Sequence, residues 1–326
     1  RNDIDGKRTM NITGDYLLKN HRINATADLD RFDAGYIAPV MESVFSEMGG
    51  SISGRVKASG TLDSLSLSSE GTRFDDVLLR VGFTNVPYYV SGPFFVTDQG
   101  LFFDEVTIKD RFDGTGTIAG GLLYDHLKNF RMDTRIKMRG IEAIDMTESD
   151  NQTFYGHLFA SGDVSVKGPF EAILLDVNVR TDKDGRIHIP IDNASNDGKN
   201  DLLTFKQAFK EVYIDPYEAM MNKMTTGGGK GSDFGIKLKV HATQGTEAYV
   251  EIDRAAGNVL NGRGQGTIDI EVRPARDLFT INGDYTLRSG NFHFNAMDIA
   301  KRDFTISEGS TVRFNGDVMD SDLDIK

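Results

Sequence analysis

Residues 281–294 read INGDYTLRSGNFHF, and residues 12–19 read ITGDYLLK. Both follow one pattern: apolar, any, Gly, Asp, Tyr, any, Leu, then a base. On an extended chain Ile281, Gly283, Tyr285 and Leu287 point one way, and Asn282, Asp284, Thr286 and Arg288 point the other. Each copy is therefore a strand with one apolar face and one wet face.

The same alternation recurs along the chain. Ile52, Gly54, Val56, Ala58, Gly60 and Leu62 alternate with Ser53, Arg55, Lys57, Ser59 and Thr61. Ile136 and Met138 alternate with Lys137 and Arg139. Phe234, Ile236, Leu238, Val240 and Ala242 alternate with Gly235, Lys237, Lys239, His241 and Thr243, and Gly266, Ile268, Ile270 and Val272 with Thr267, Asp269, Glu271 and Arg273. Strict period two over such runs is the sharpest signature of a half-buried strand. Clusters of Gly, Asp and Asn at 98–100, 113–116, 182–185, 261–264, 289–291 and 315–317 predict hairpin turns, which need positive φ. Roughly eighteen strands are expected, and at about 4.8 Å between neighbours a single sheet would run roughly 80 Å, so it must twist or curl.

Two segments break the rhythm. Residues 31–48 carry Tyr36, Ile37, Val40, Met41, Val44, Phe45 and Met48 at helical spacing, with Pro39 tolerable in a first turn. This helix is expected to pack on the sheet, since Glu42 and Glu47 stand where a membrane-surface helix wants bases. Residues 202–224 predict a second helical insert, with Asp215 and Pro216 as a fresh cap and first residue. Residues 225–233, TTGGGKGSD, read as a flexible linker.

Internal repetition is informative. Residues 54–62 are GRVKASGTL and residues 156–164 are GHLFASGDV, with looser copies at 114–120 (GTGTIAG) and 264–270 (GQGTIDI). The irregular period excludes a repeat array of fixed length. Instead, one strand-turn-strand unit is reused.

Composition narrows the function classes. The 35 glycines against 7 prolines suit many tight turns. Without cysteine there is no disulfide framework and no thiol-bound metal. The 37 Lys and Arg against 49 Asp and Glu give a net charge of −12, the wrong sign for tracking phosphates, so no nucleic-acid partner is expected. No apolar run approaches the ~18–20 residues of a spanning helix, and no signal peptide is recognisable. The sequence opens at Arg1 and closes on DLDIK, so we read it as an excised stretch of a longer protein, with any anchor or export signal outside it.

No constellation of catalytic residues emerges. His21, His126, His157, His188, His241 and His293 are scattered, without the spacing of a metal site, and each is expected on a solvent face. The glycines of 225–233 lack the order of a phosphate loop. The DKDG of 182–185 lacks the remaining ligands of a calcium loop and reads as a turn. The carboxylates of Asp317, Asp320, Asp322 and Asp324 fall on a polar strand phase, and no GxSxG elbow is present. A non-enzymatic protein without cofactor or metal is the expectation.

The helical segments are too few to cover the apolar face of such a sheet. That face must close as a sandwich or barrel, or fold lengthwise into a gutter. The fold expected is all-β: a long, curved, twisted sheet folded lengthwise into a taco or gutter with an apolar interior, plus a few short helical inserts. An exposed apolar trough needs a guest with long apolar chains, or it becomes an aggregation hazard. The expected lining is Val56, Leu62, Ile136, Leu158, Val164, Ile187, Ile189, Ile236, Leu238, Val240, Ile268, Ile270, Ile281, Tyr285, Leu287, Phe292 and Phe294.

Three stretches resemble the TamB family. Residues 102–140 (FFDEVTIKDRFDGTGTIAGGLLYDHLKNFRMDTRIKMRG) resemble its repeated strand unit. Residues 155–191 resemble the next unit, with its T…G…I-P-apolar ending. Residues 281–325 resemble its C-terminal signature through Gly283, Tyr285, Leu287, Gly290, Phe292 and Phe294, then Phe304, Ile306, Gly309, Ser310, Val312, Phe314, Gly316 and Asp317, then Leu323, Asp324 and Ile325. The family is similar to AsmA-like proteins and to eukaryotic bridge-like lipid transfer proteins. The resemblance implies a periplasmic segment of a Gram-negative envelope protein, anchored in the inner membrane by an N-terminal helix outside this sequence. It implies a taco-shaped sheet spanning 1–326 that carries phospholipids between inner and outer membranes. It also implies a role in outer-membrane protein assembly beside an Omp85-type barrel.

The leading expectation is thus a lipid conduit whose apolar face holds phospholipid acyl chains. The alternative is an assembly scaffold that pairs its sheet with strands of a client or barrel by β-augmentation. A transmembrane barrel is disfavoured by the helical inserts and the lack of aromatic girdles. A closed sandwich with a dry core is the plainest rival.

Overall fold

The computed structural model describes residues 2–4, 7–19, 21–41, 45–61, 64–82, 84–150, 154–169, 172–182, 185–190, 235–253, 256–276, 278–296, 300–316 and 321–326. The helical insert expected over 202–224 and the linker over 225–233 lie outside them. The fold is all-β, as expected from the alternation. Its contacts divide into two compact units. The first holds the described residues up to 138 and those of 164–174; the second holds those of 139–163, 175–190 and 235–326.

In the first unit β1 (Asn2–Ile4), β2 (Lys7–Leu17), β3 (Arg22–Asp33), β4 (Phe45–Thr61), β5 (Ser64–Val81), β6 (Val86–Thr97), β7 (Gly100–Lys109) and β8 (Thr115–Asp125) each pair antiparallel with the next. Ile12, Ala27, Val56 and Ser69 fall in one row across β2 to β5, and Asn11, Asp28, Arg55 and Glu70 in the adjacent row on the opposite face. Farther on, Val77, Val90 and Ile108 form a buried row, and Phe74 stacks on Phe94 with ring centroids 4.4 Å apart. In the turn between β7 and β8 the Asp110 carboxylate accepts hydrogen bonds from Phe112 N (2.7 Å) and Gly114 N (2.8 Å). Asp113 there has φ 65°; the expected turn falls at 110–114, and Thr115 and Gly116 already belong to β8.

The helix expected over 31–48 is much shorter. Residues 31–33 still belong to β3; a 3-10 turn (Ala34–Ile37) and α1 (Ala38–Met41) follow, and β4 begins at Phe45. Asp33 caps the turn by accepting from Gly35 N at 2.8 Å. Gly35 and Pro39 weaken a helix here, and ladder pairing of β4 with β5 claims Phe45 and Met48. The apolar spacing was shared between a strand end and a strand start, not one helix face.

In the second unit β12 (Gly185–Pro190) pairs parallel with β14 (Thr246–Asp253). The other described ladders there are antiparallel. β10 (Tyr155–Pro169) pairs β12, while β13 (Gly235–Ala242) and β14 pair successive halves of β15 (Asn258–Arg273). β15 pairs β16 (Leu278–Ala296), which pairs β17 (Ala300–Ile306) with one half and β18 (Ser310–Gly316) with the other; β18 carries β19 (Asp322–Asp324). β9 (Lys128–Met146) and β11 (Leu174–Thr181) complete the described strands.

Two predicted turns are corrected. Residues 261–264 lie inside β15 and residues 289–291 inside β16, and they face each other: Asn261 opposes Asn291, Gly262 opposes Gly290, and Arg263 opposes Ser289. The register shifts there, between Arg263 and Gly264. This β-bulge keeps Gly290 and Phe292 on the same face as Leu287 although the spacing changes from two to three. The glycines serve close approach rather than chain reversal. A Cβ on Gly262 would lie 2.7 Å from Leu287 Cδ2, and one on Gly264 would lie 2.9 Å from the Tyr285 ring.

The repeated GxxxASG segments share backbone geometry as well as sequence. Gly54 and Gly60 have φ 123° and 124°; Gly156 and Gly162 have φ 142° and 151°. These angles belong to glycine. A Cβ on Gly162 would overlap the Asn178 carbonyl oxygen. Gly162→Ala is therefore expected to lose on the order of 3 kcal/mol in chemical denaturation, against ~1 kcal/mol for Gly71→Ala, where φ is 62° with open space around it. Arg313→Ala breaks an exposed 2.7 Å ion pair with Asp284 and is expected to leave the unfolding midpoint nearly unchanged in the same assay.

Candidate functional site

The candidate site is the apolar face of the second unit. Register places Leu238, Ile270, Ile281 and Gly316 in one row across β13, β15, β16 and β18. The next row is Val240, Ile268, Gly283 and Phe314, and the third is Ala242, Gly266, Tyr285, Val312 and Leu323. Ile236 opposes Val272, and beyond the bulge Leu260, Phe292 and Phe304 continue the face. Ile187 and Ile189 join it through Ala248 and Val250, and Leu158 lies over Gly185 with only 2.8 Å left for a Cβ there.

The residues proposed from sequence are thus gathered in three groups. Those of β13, β15 and β16 share one face of adjacent strands. Leu158, Ile187 and Ile189 occupy β10 and β12 of the same unit. Val56, Ile136 and Val164 belong to the first unit, half-buried, and Leu62 lies outside the described residues. Sequence reading missed Val312, Phe314 and Leu323, whose alternation in TVRFNG and DLD was visible but short. It also missed Ala248 and Val250, hidden among the charges of TEAYVEID.

Exposure distinguishes this face from a closed core. Leu238, Val240, Ile268, Ile270 and Ile281 are half-buried, while Phe304 is 51% and Leu323 65% exposed. Leu287, pressed on Gly262 at the bulge, is 2% exposed. In the first unit the corresponding strands are tighter, with Val77, Val90, Phe94, Val106 and Ile108 all buried.

Electrostatics follow the alternation. On the wet phase Lys239 pairs with Asp269 at 3.2 Å and Arg313 with Asp284 at 2.7 Å; in the first unit Arg55 bonds Asp28 at 2.5 Å. Hydrogen bonding to these carboxylates, and their charge, hold the Arg55 and Arg313 guanidiniums further into the protonated range. Burial raises the Tyr285 phenol above its usual pKa, against smaller opposing effects of the Gly264 backbone and Arg263. Tyr285 therefore presents a neutral hydroxyl on an aliphatic face.

The histidines depart from expectation. His21 and His293 are exposed, but His157 and His188 are half-buried against carboxylates. His188 stacks between Tyr155 and Tyr249 at 4.6 and 4.5 Å, and its Nδ1 lies 2.9 Å from buried Glu251, which also accepts from the Tyr155 hydroxyl at 2.5 Å. His157 Nε2 lies 2.7 Å from Glu142 Oε1. These partners are distant in sequence, so no spacing rule could find them.

The family model of the TamB C-terminal domain matches residues 104–326. The comparisons with curated proteins and with solved structures return no match. With more than half of its length matched by that model, and with the signature strands of 281–325 paired as one apolar face, the chain belongs to the TamB family of envelope proteins.

Proposed function

We propose that the apolar face of the second unit binds the acyl chains of phospholipids, and that the protein acts in the periplasm as part of a conduit between inner and outer membranes. The carrying observation is a set of aligned aliphatic rows that stay half-buried: Leu238–Ile270–Ile281 and Val240–Ile268. A closed sandwich would bury them. Each methylene removed from water on such a face gives ~0.8 kcal/mol, so a dozen would give roughly 10 kcal/mol before the cost of ordering the chain. The face gives no directional bond to any one chain, which suits guests that enter and leave. Tyr285 adds one hydroxyl at which a guest's polar end can be oriented.

In this reading an inner-membrane anchor and an Omp85-type barrel partner belong to parts of the assembly outside the chain described. Assembly by strand pairing with a client remains the competing function, and lipid content separates the two.

Organic extracts of the purified protein are expected to contain phospholipid by mass spectrometry. Leu238→Arg and Ile270→Arg each place a charge in an apolar row, and each should lower copurified lipid about tenfold or more while the β-sheet circular dichroism is kept. Lys239→Ala, on the wet phase, should leave it unchanged. A protein free of lipid, or lipid retained in both arginine variants, overturns the proposal; a copurified barrel protein without lipid favours the scaffold.

A further inference from the structure

We propose that Glu142, Asp145 and His157 form a binding site for a divalent transition-metal cation of the zinc type. Glu142 and Asp145 lie near the end of β9, and His157 lies on β10 beside it. One ligating atom from each lies within 4.8 Å of the other two, and among the described residues this is the one such grouping of three. The donor set, one imidazole nitrogen and two carboxylates, suits zinc better than the all-oxygen sets of calcium or magnesium.

Two observations point to a cation rather than to a wet acidic patch. The first is the burial of Glu142, whose side chain has no exposed surface. Its Oε1 stands 2.7 Å from Nε2 of half-buried His157, so a carboxylate oxygen and an imidazole nitrogen are already held close together away from bulk water. The second is room on the other side. Asp145 and His157 face an open cleft of about 500 Å3, whose lining also includes Tyr155, Glu247 and two arginines, Arg263 paired with Glu247 and Arg186 lying over the Tyr249 ring. That cleft offers a route for entry and space for water in a fourth ligand position.

The three ligand atoms, within 4.8 Å of one another, must draw to tetrahedral spacing. Tetrahedral ligands at about 2.0–2.2 Å from zinc stand roughly 3.3 Å apart, so the Glu142–His157 contact opens by well under 1 Å from its 2.7 Å hydrogen bond. As the metal takes Nε2, the imidazole stays neutral with its one proton on Nδ1. The Phe159 ring packs edge-on to His157 at 4.7 Å and limits rotation of the imidazole. The site stands on the wet strand phase and needs no acyl guest, so it is independent of the lipid reading.

Titration of Zn2+ into the purified protein against a chromophoric zinc indicator tests this. Uptake of one equivalent is expected, with affinity falling at least ~10-fold in Asp145→Asn and in His157→Gln. His241→Gln, on the wet phase elsewhere, should bind as wild type does. Zn2+ should also raise the Tm of the wild-type protein and not of the two ligand variants, whose own melts report whether they are folded. No uptake, or uptake that both ligand variants retain, overturns the site.

Discussion

Inter-strand register is the constraint on which the rest depends. Because side chains alternate with period two, an apolar face exists only if each strand meets its neighbour in phase. Ile270 opposes Leu238 on one side and Ile281 on the other, and Ile268 opposes Val240 and Gly283. A slip by one residue would set Ile270 against Lys239 or Asn282 and abolish both rows. The charged phase reinforces this, since Lys239 meets Asp269, and Arg55 meets Asp28, only in the native register. Each pair contributes little to stability, but a slipped register would lose them while also burying charge.

Long strands cannot hold one register indefinitely, because twist accumulates. The chain answers with glycines and bulges placed inside strands. At the centre of β15 and β16 a bulge shifts register by one residue, and Gly262 and Gly264 leave room for Leu287 and Tyr285 to lie flat across the neighbouring strand. The same device recurs in both units through the GxxxASG segments, where paired glycines take backbone angles closed to other residues. Bending is thus written at fixed points, and apolar phase survives across each.

Polar chemistry collects where alternation alone would predict solvent. On β9, β10, β12 and β14 the wet phase carries Glu142 with His157, and Glu251 with His188 and Tyr155. Each carboxylate is buried but bonded, so neither is the unpaired charge that would destabilise the sheet. Sequence reading placed all six histidines at the surface because it had only local alternation to use. Glu142 and His157 are fifteen residues apart, and Glu251 and His188 sixty-three; strand pairing brings them together.

The two copies of the opening motif show where legibility ended. Both are strands, both put Tyr and Ile on one face, and both press a glycine against a neighbouring carbonyl: Gly14 on Asn24, Gly283 on Thr267. Yet Ile12 is 57% and Tyr16 49% exposed, while Ile281 and Tyr285 are half-buried between β15 and β18. The sequence by itself determined that the chain is all-β, which residues within one strand share a phase, and which family signature it carries, because a strand's alternation is local and of fixed period. The tertiary structure alone decided which glycine clusters turn and which bulge, how short the helix after β3 is, how deeply each copy is covered, and which histidines find carboxylates. Those depend on what lies across the next strand, and no local pattern encodes that.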